Sequence, residues 1–126
     1  MFTFLCYPKC STCAKAEKWL VSHHVPFQKR DISIQNPTAG ELAEWHRNNP
    51  LPLTKLFNTS GRRYRELNLK EQLKTMSDEA IIELLASDGM LVKRPVLTDG
   101  TVVLFGFKEA EWEQILAALK SEKSSQ

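Results

Sequence analysis

The chain opens with a short apolar run and then changes to a helical pattern. Residues 2–6 are almost entirely apolar or aromatic, which is typical of a buried strand. Residues 11–23 repeat their apolar positions with helical spacing, and residues 27–32 read as a second strand. Two strands that flank one helix this closely predict a parallel βαβ unit with a right-handed crossover.

A long helical stretch follows, from about residue 36 to residue 90, and it is too long to be a loop in a compact domain. Thr38-x-x-Glu41 has the spacing of a capping box, and Asn68-x-x-Glu71 predicts a second box with an Asn cap. Further helix boundaries are predicted at Asn48-Asn49-Pro50, Pro52, Ser77 and Gly89.

The end of the chain predicts a hairpin and a last helix. Residues 96–98 and 102–105 are strand-like, and Asp99-Gly100 between them suits a two-residue type I′ turn. The resulting order, βαβ, helical insert, ββα, is that of an α/β thioredoxin-like fold with a mixed four-stranded sheet. We expect one domain over residues 1–119, with the helical insertion at about 36–90, and a flexible tail over 120–126.

Composition excludes several classes of protein. With 126 residues the chain fits one domain, and a net charge of +2 is too small to suggest nonspecific binding to nucleic acid. Neither a signal peptide nor an apolar run long enough for a membrane helix is visible. Three cysteines do not make a disulfide framework, so we expect a cytoplasmic protein without membrane or direct nucleic-acid partners.

The most informative motif is Cys10-Ser-Thr-Cys13, at the junction of the first strand and the first helix. A C-x-x-C pair there is typical of a thioredoxin-like redox site. Free N–H groups of the first helical turn favour a thiolate, and Lys9 and Lys15 add positive charge nearby. We therefore expect Cys10 to be the nucleophile and Cys13 the resolving thiol.

Interpretations of the cysteines other than a redox role remain open. Free cysteines are often buried and inert, and Cys6, at the end of an apolar strand, is better explained as a core residue. A zinc site is disfavoured because one C-x-x-C stands alone and none of the three histidines has ligand spacing to it. No metal or bound cofactor is predicted.

Three segments together resemble the arsenate reductase/Spx family. They are Tyr7-Pro8-Lys9-Cys10-Ser11-Thr12-Cys13, the stretch from Asn58-Thr59-Ser60-Gly61 to Tyr64-Arg65-Glu66-Leu67, and Lys93-Arg94-Pro95. The resemblance implies a thioredoxin-like fold with a helical insert. It also implies that Cys10 corresponds to the attacking cysteine, Arg94 to an arginine beside the site, and Pro95 to a cis-proline facing the thiol.

This chain departs from the pattern of the glutaredoxin-dependent arsenate reductases. Those enzymes hold the oxyanion with three arginines, of which only Arg94 is present here, while Asn58 and Phe107 take the other two places. Arginine suits a tetrahedral anion because its planar fork donates two hydrogen bonds. Arg62 or Arg63 could reach the site from the loop after Ser60. Those reductases also carry a single cysteine, whereas the C-x-x-C is similar to that of Spx.

The preferred interpretation is an arsenate reductase-like thiol–disulfide oxidoreductase that is reset by glutathione, glutaredoxin or thioredoxin. One alternative is an Spx-type redox sensor that binds the C-terminal domain of the RNA polymerase α subunit. The other alternative is a family member that binds glutathione without turnover. The predicted catalytic residues are Cys10, Cys13 and Arg94, and the predicted substrate- or anion-binding residues are Lys9, Ser11, Thr12, Asn58 and Pro95.

Overall fold

A computed structural model describes the backbone of residues 1–124 and the side chains of residues 1–119. The strands are β1 (Phe2–Cys6), β2 (Phe27–Asp31), β3 (Val96–Thr98) and β4 (Val103–Phe105). The α-helices are α1 (Ser11–Ser22), α2 (Ala39–Arg47), α3 (Arg62–Glu66), α4 (Leu69–Gln72), α5 (Asp78–Ser87) and α6 (Glu109–Ser124). Short 3-10 turns occur at Leu53–Leu56, Leu73–Thr75 and Gly89–Leu91.

The sheet has four strands in the order β2-β1-β3-β4. β1 and β2 are parallel, with Phe2 opposite Phe27, while β3 is antiparallel to both β1 and β4. This confirms the predicted mixed sheet and the thioredoxin-like order of elements. The carboxyl end of β1 leads directly to the loop before α1, so the first cysteine of the motif lies at the edge of the sheet.

The helical insert follows the predicted boundaries in part. At α2 the Thr38 hydroxyl accepts from the backbone N–H of Glu41, and the Glu41 carboxylate accepts from that of Thr38, so this capping box is confirmed. The second predicted box is wrong. Asn68 adopts a left-handed conformation (φ 51°) and makes no side-chain cap, because its position joins α3 closely to α4.

The hairpin between β3 and β4 is confirmed, but its turn differs from the prediction. Four residues, 99–102, separate the paired Thr98 and Val103, so Asp99-Gly100 is not a two-residue connection. The Asp99 carboxylate instead accepts hydrogen bonds from the N–H groups of Thr101 and Val102 at 2.9 and 2.8 Å. The aspartate thus stabilises the loop through its side chain, an arrangement common in Asx turns.

Helix α6 continues to Ser124, beyond the predicted domain end at residue 119. The predicted tail over 120–126 falls on residues whose side chains lie outside the described part of the chain, as does the backbone of 125–126. Its flexibility stays a prediction.

Two apolar clusters cover the two faces of the sheet. One includes Leu5 and Val96 and packs under the helical insert; the other includes Phe4 and Leu97 and packs under α1 and α6. Successive side chains along β1 and along β3 therefore point to opposite faces of the sheet.

Gly89 packs directly against the backbone of Ile32, the residue that follows β2. A Cβ built at this position would lie 1.8 Å from the carbonyl oxygen of Ile32, so no larger residue fits without movement of the backbone. Sequence reasoning predicted Gly89 as the end of α5; that helix ends two residues earlier, at Ser87, and Gly89 begins a 3-10 turn.

Candidate active site

An isolated antiparallel bridge brings the insert to the site. Phe57 is opposite Val92, Asn58 donates its N–H to the carbonyl of Leu91 at 2.8 Å, and Lys93 donates to that of Leu56 at 2.7 Å. The bridge fixes residues 56–58 beside residues 91–93, which lie more than thirty positions later in the chain. Two distant segments therefore form one wall of the site.

Cys10 occupies the N-cap position of α1. Its N–H donates to the carbonyl of Tyr7 at 3.0 Å, and its own carbonyl accepts from Ala14 at 3.1 Å, as the first bond of the helix. The side chain is half-buried and opens into a surface cleft. This location is the one in which orphan N–H groups of a helix most favour an anion.

Cys13 lies one turn later and is buried, with 3% of its surface exposed. Its Sγ accepts a hydrogen bond from the backbone N–H of Tyr7 at 3.4 Å. The side chain packs with Ala16 and Trp19 on the α1 side of the sheet. Cys13 is thus held behind Cys10, away from solvent.

The pKa values of the two thiols are shifted in opposite directions. Burial raises the pKa of Cys10, but the N–H and thiol of Cys13, together with the Arg94 guanidinium, outweigh burial and leave that pKa below its ordinary value. Burial raises the pKa of Cys13 to about 12, assisted by the neighbouring Cys10 sulfur. The thiolate, which is the reactive form of a cysteine, is therefore favoured on Cys10 over Cys13.

Arg94 supplies positive charge that acts on Cys10, as the family resemblance implies for the arginine beside the site, whereas Lys9 and Lys15, which the sequence also favours for this role, are not among the causes of the shift. Its guanidinium lies over the Tyr7 ring, with Cζ 5.1 Å from the ring centre. Its Nε is buried without a partner among the described residues, so the guanidinium retains donor capacity at the site. The Arg94–Pro95 peptide bond is cis, in agreement with the family resemblance.

A cleft of about 630 Å³ opens beside Cys10. Of the residues predicted from sequence, Cys10, Thr12, Asn58 and Arg94 line it. The other predicted binding residues do not: Lys9 and Ser11 are exposed, and Pro95 is buried.

Other residues of the cleft differ from the prediction. Lys93 and Met90 line it although neither was predicted as a site residue, and Arg62 does reach it from the loop after Ser60. Lys55 also lines it, with its side chain exposed to solvent. The adjacency of Lys93 to Arg94 was the only sequence signal that could have identified it.

Phe107 packs elsewhere. Its ring contacts those of Trp112 and Trp19, at centroid distances of 4.8 and 6.2 Å, within the apolar cluster under α1 and α6. Phe107, which stands where the glutaredoxin-dependent arsenate reductases carry an arginine, therefore packs against the core and does not line the cleft.

The third cysteine, Cys6, lies in the core and does not line the cleft. Cys6 is buried, and burial raises the pKa of its thiol, which agrees with a core role. Among residues 1–119, no three His, Cys, Asp or Glu side chains group in a way that could hold a metal ion. In the helices described, no segment is both long and apolar enough to cross a membrane.

The sheet order and the position of the cysteine pair define a thioredoxin-like protein. Residues 5–115 match the model of the ArsC family, so the chain belongs to this family. A crystal structure of a possible arsenate reductase from Streptococcus mutans UA159 superimposes with a TM-score of 0.81 and 42% identity, over 86% of this chain and 92% of that one.

The curated relatives include an uncharacterized protein and a transcriptional regulator. The uncharacterized protein YusI of Bacillus subtilis (strain 168) is 53% identical over 112 residues, which cover 89% of this chain and 95% of YusI. The global transcriptional regulator Spx of Streptococcus pyogenes serotype M1 is 28% identical over 117 residues, or 93% of this chain and 86% of Spx. The family thus includes proteins named for reduction and proteins named for regulation.

Proposed function

We propose that this protein is a thiol–disulfide oxidoreductase in which Cys10 attacks the substrate and Cys13 resolves the product. The observation that carries the proposal is the asymmetry of the two thiols within one helical turn. Cys10 lines the cleft with a lowered pKa, while Cys13 is buried with a pKa of about 12. Only one of the two sulfurs is both accessible and shifted toward the thiolate form.

In the first step the Cys10 thiolate attacks one sulfur of a substrate disulfide. A bond forms between Cys10 and that sulfur, the substrate S–S bond breaks, and the other half leaves as a thiolate. Arg94 faces Cys10 and stabilises the sulfur anion before attack. Thr12 and Asn58 line the cleft in which the substrate lies and supply neutral polar contacts.

In the second step Cys13 loses its proton and attacks the Cys10 sulfur, releasing the remaining half of the substrate as a thiol. Formation of the mixed disulfide removes the negative charge of Cys10, which is one of the causes that hold the pKa of Cys13 high. The substrate gains two electrons and the protein ends with a Cys10–Cys13 disulfide. A reducing partner in the cytoplasm, such as glutathione, glutaredoxin or thioredoxin, restores the dithiol.

A disulfide substrate is favoured over arsenate by the composition of the cleft. Of the three positions where the resembling reductases carry arginine, one holds Arg94, one holds the neutral Asn58, and the third holds Phe107, which packs against Trp112. A tetrahedral oxyanion would therefore meet one of the three guanidinium groups that hold it in those reductases, because Arg62, which also lines the cleft, is paired with Glu66.

A quenched single turnover tests the proposal. Reduced wild-type protein, Cys13→Ser and Cys10→Ser are mixed separately with glutathione disulfide, an oxidised protein and arsenate, and the products are identified by mass spectrometry. The wild type should form the internal disulfide, and Cys13→Ser should accumulate an adduct on Cys10. A Cys10→Ser variant that reduces disulfides as fast as the wild type would refute the proposal.

The relationship to Spx supports one alternative, a redox-sensing regulator that binds the C-terminal domain of the RNA polymerase α subunit. The same C-x-x-C would then be a sensor rather than a catalyst. A pull-down with that polymerase domain, in the reduced and the oxidised state, distinguishes the two. Redox-dependent capture together with no turnover of disulfides would favour the regulator.

A further inference from the structure

The cleft beside Cys10 is strongly cationic. Lys55, Arg62, Lys93 and Arg94 line it, and none of the residues that line it is acidic. Arg62 is paired with Glu66 at 3.1 Å, whereas no ion pair among the described residues uses Lys55, Lys93 or Arg94. The walls therefore present positive charge that the protein itself does not neutralise.

Lys55 and Lys93 are attached to the bridged segments that form one wall. Lys55 belongs to the 3-10 turn Leu53–Leu56, and the N–H of Lys93 donates to the last residue of that turn. The aliphatic part of Lys93 runs past Gly106, where an added Cβ would lie 3.0 Å from its Cε. The backbone of both lysines is therefore fixed in the wall of the cleft by the bridge rather than by a mobile loop.

The size of the cleft indicates an extended ligand. At about 630 Å³ it falls within the range of roughly 300–1,000 Å³ that is usual for pockets filled by molecules much larger than a tetrahedral oxyanion. Carboxylates are the groups in a polypeptide that lysine ammonium groups complement, and clefts lined by one sign of charge raise the local concentration of oppositely charged ligands.

We propose that the cleft selects disulfides within polypeptide segments rich in Asp and Glu, with Lys55 and Lys93 as the residues that determine this specificity. The inference rests on the proposed function, since it names the substrate class of the same site. In the reaction, the Cys10 thiolate forms a mixed disulfide with one half of the peptide dimer while the other half leaves as a thiolate. Cys13 then forms the Cys10–Cys13 disulfide and releases the first half as a thiol, so that the peptide disulfide is reduced by two electrons and the protein is oxidised by two. Flanking carboxylates of the peptide lie against the two lysines.

The test uses disulfide-linked dimers of short peptides in which the cysteine is flanked by Glu, Gln or Lys, together with glutathione disulfide. Second-order rate constants for oxidation of the reduced protein are measured at low and high salt. The variants are Lys55→Gln and Lys93→Gln, with Lys93→Arg as a charge-preserving variant and Lys70→Gln as an exposed control outside the cleft. Ratios of variant to wild type cancel the intrinsic reactivity of each peptide.

The wild type should prefer the Glu peptide over the Gln peptide by roughly tenfold or more at low salt, and high salt should reduce the preference. Lys55→Gln and Lys93→Gln should each lower it, whereas Lys93→Arg and Lys70→Gln should retain it. Circular dichroism of each variant checks that it is folded.

Two results would overturn the inference while leaving the proposed function intact. One is equal loss of rate for the Glu and Gln peptides in the lysine variants. The other is glutathione disulfide reacting as fast as the Glu peptide, which would limit the ligand to a tripeptide. Failure of every disulfide to oxidise the wild type would instead remove the proposed function itself.

Discussion

The guanidinium of Arg94 lies over the ring of Tyr7, with its Cζ 5.1 Å from the ring centre. Tyr7 also donates its backbone N–H to Cys13 and accepts the N–H of Cys10 through its carbonyl. One residue therefore contacts both cysteines through its main chain and the stabilising cation through its side chain. Stacking of this kind is worth about 0.5–2 kcal/mol and restricts where the cation can lie.

Replacement of the Tyr7 ring should change the acidity of Cys10. Tyr7→Leu removes the aromatic surface under Arg94, so the cation is held less firmly near the sulfur and the pKa of Cys10 should rise. Tyr7→Phe retains the ring and should leave that pKa nearly unchanged. Titration of thiolate absorbance near 240 nm measures both; identical values for Leu and wild type would show that the stacking does not position Arg94.

Removal of the Arg94 charge should have a larger effect. Arg94→Met keeps much of the side-chain volume but removes a charge that lowers the pKa of Cys10, so this pKa should rise and the rate of alkylation at pH 7 should fall severalfold. Arg94→Lys should give an intermediate value, because it keeps the charge without the planar fork.

The matched control is Lys9→Met, at an exposed residue that the sequence had favoured as the source of charge. It should leave the alkylation rate close to that of the wild type. An equal loss of rate in Lys9→Met and Arg94→Met would contradict the claim that Arg94 is the residue whose charge lowers the pKa of Cys10.

Much of this arrangement follows from local sequence signals. The N-cap position of Cys10 and the capping box at Thr38 depend on a few neighbouring residues, and both were predicted. The cationic wall was not, because Lys55 and Lys93 meet only through the bridge between Phe57 and Val92. Pairing of such distant segments leaves no periodic pattern in the sequence.

The same distinction explains the errors in the insert. Short helix α3 lacks a buried residue, so it gives no apolar periodicity to detect. Asn68 has the composition of a cap, yet the connection of α3 to α4 requires a left-handed residue, and asparagine tolerates this conformation better than most residues. Asparagine is suited to both a helix cap and a left-handed linker, and the connection between the two helices makes Asn68 the linker.

The elevated pKa of Cys13 should make the reduced protein less stable in alkali. Its neutral form is favoured in the folded state, so its contribution to stability is complete below the pKa of the unfolded thiol. That contribution is lost as pH rises from there toward about 12. Between pH 9 and pH 11 it should lower the free energy of unfolding by about 1.4 kcal/mol per pH unit.

Urea unfolding across this pH range, with reductant present, measures the slope. Cys13→Ala should show a shallower slope by about one proton, although Cys6, whose pKa is also raised, will contribute a part that remains. Parallel slopes for the variant and the wild type would contradict the assignment of a raised pKa to Cys13.

The contact at Gly89 predicts a strong effect on stability. Gly89→Ala places a methyl group against the carbonyl of Ile32 and forces the backbone to move, so it should destabilise the fold by about 1–3 kcal/mol or more. Gly40→Ala is the matched control, because that site in α2 has no atom closer than 3.9 Å to the added Cβ. Alanine should be neutral there or stabilise by about 0.5–1 kcal/mol. Thermal unfolding compares the two, and equal melting temperatures would show that the backbone accommodates the methyl group.

The central claim is that the Cys10 thiol is the reactive one, whereas the Cys13 thiol stays protonated until it resolves the mixed disulfide. The most direct measurement is the pH dependence of iodoacetamide alkylation of the reduced wild-type protein, with each cysteine followed by peptide mass spectrometry. Cys10 should be modified at neutral pH, with a midpoint below that of an ordinary cysteine, while Cys13 stays unmodified until strongly alkaline pH. Equal rates at the two cysteines, or earlier modification of Cys13, would contradict the account.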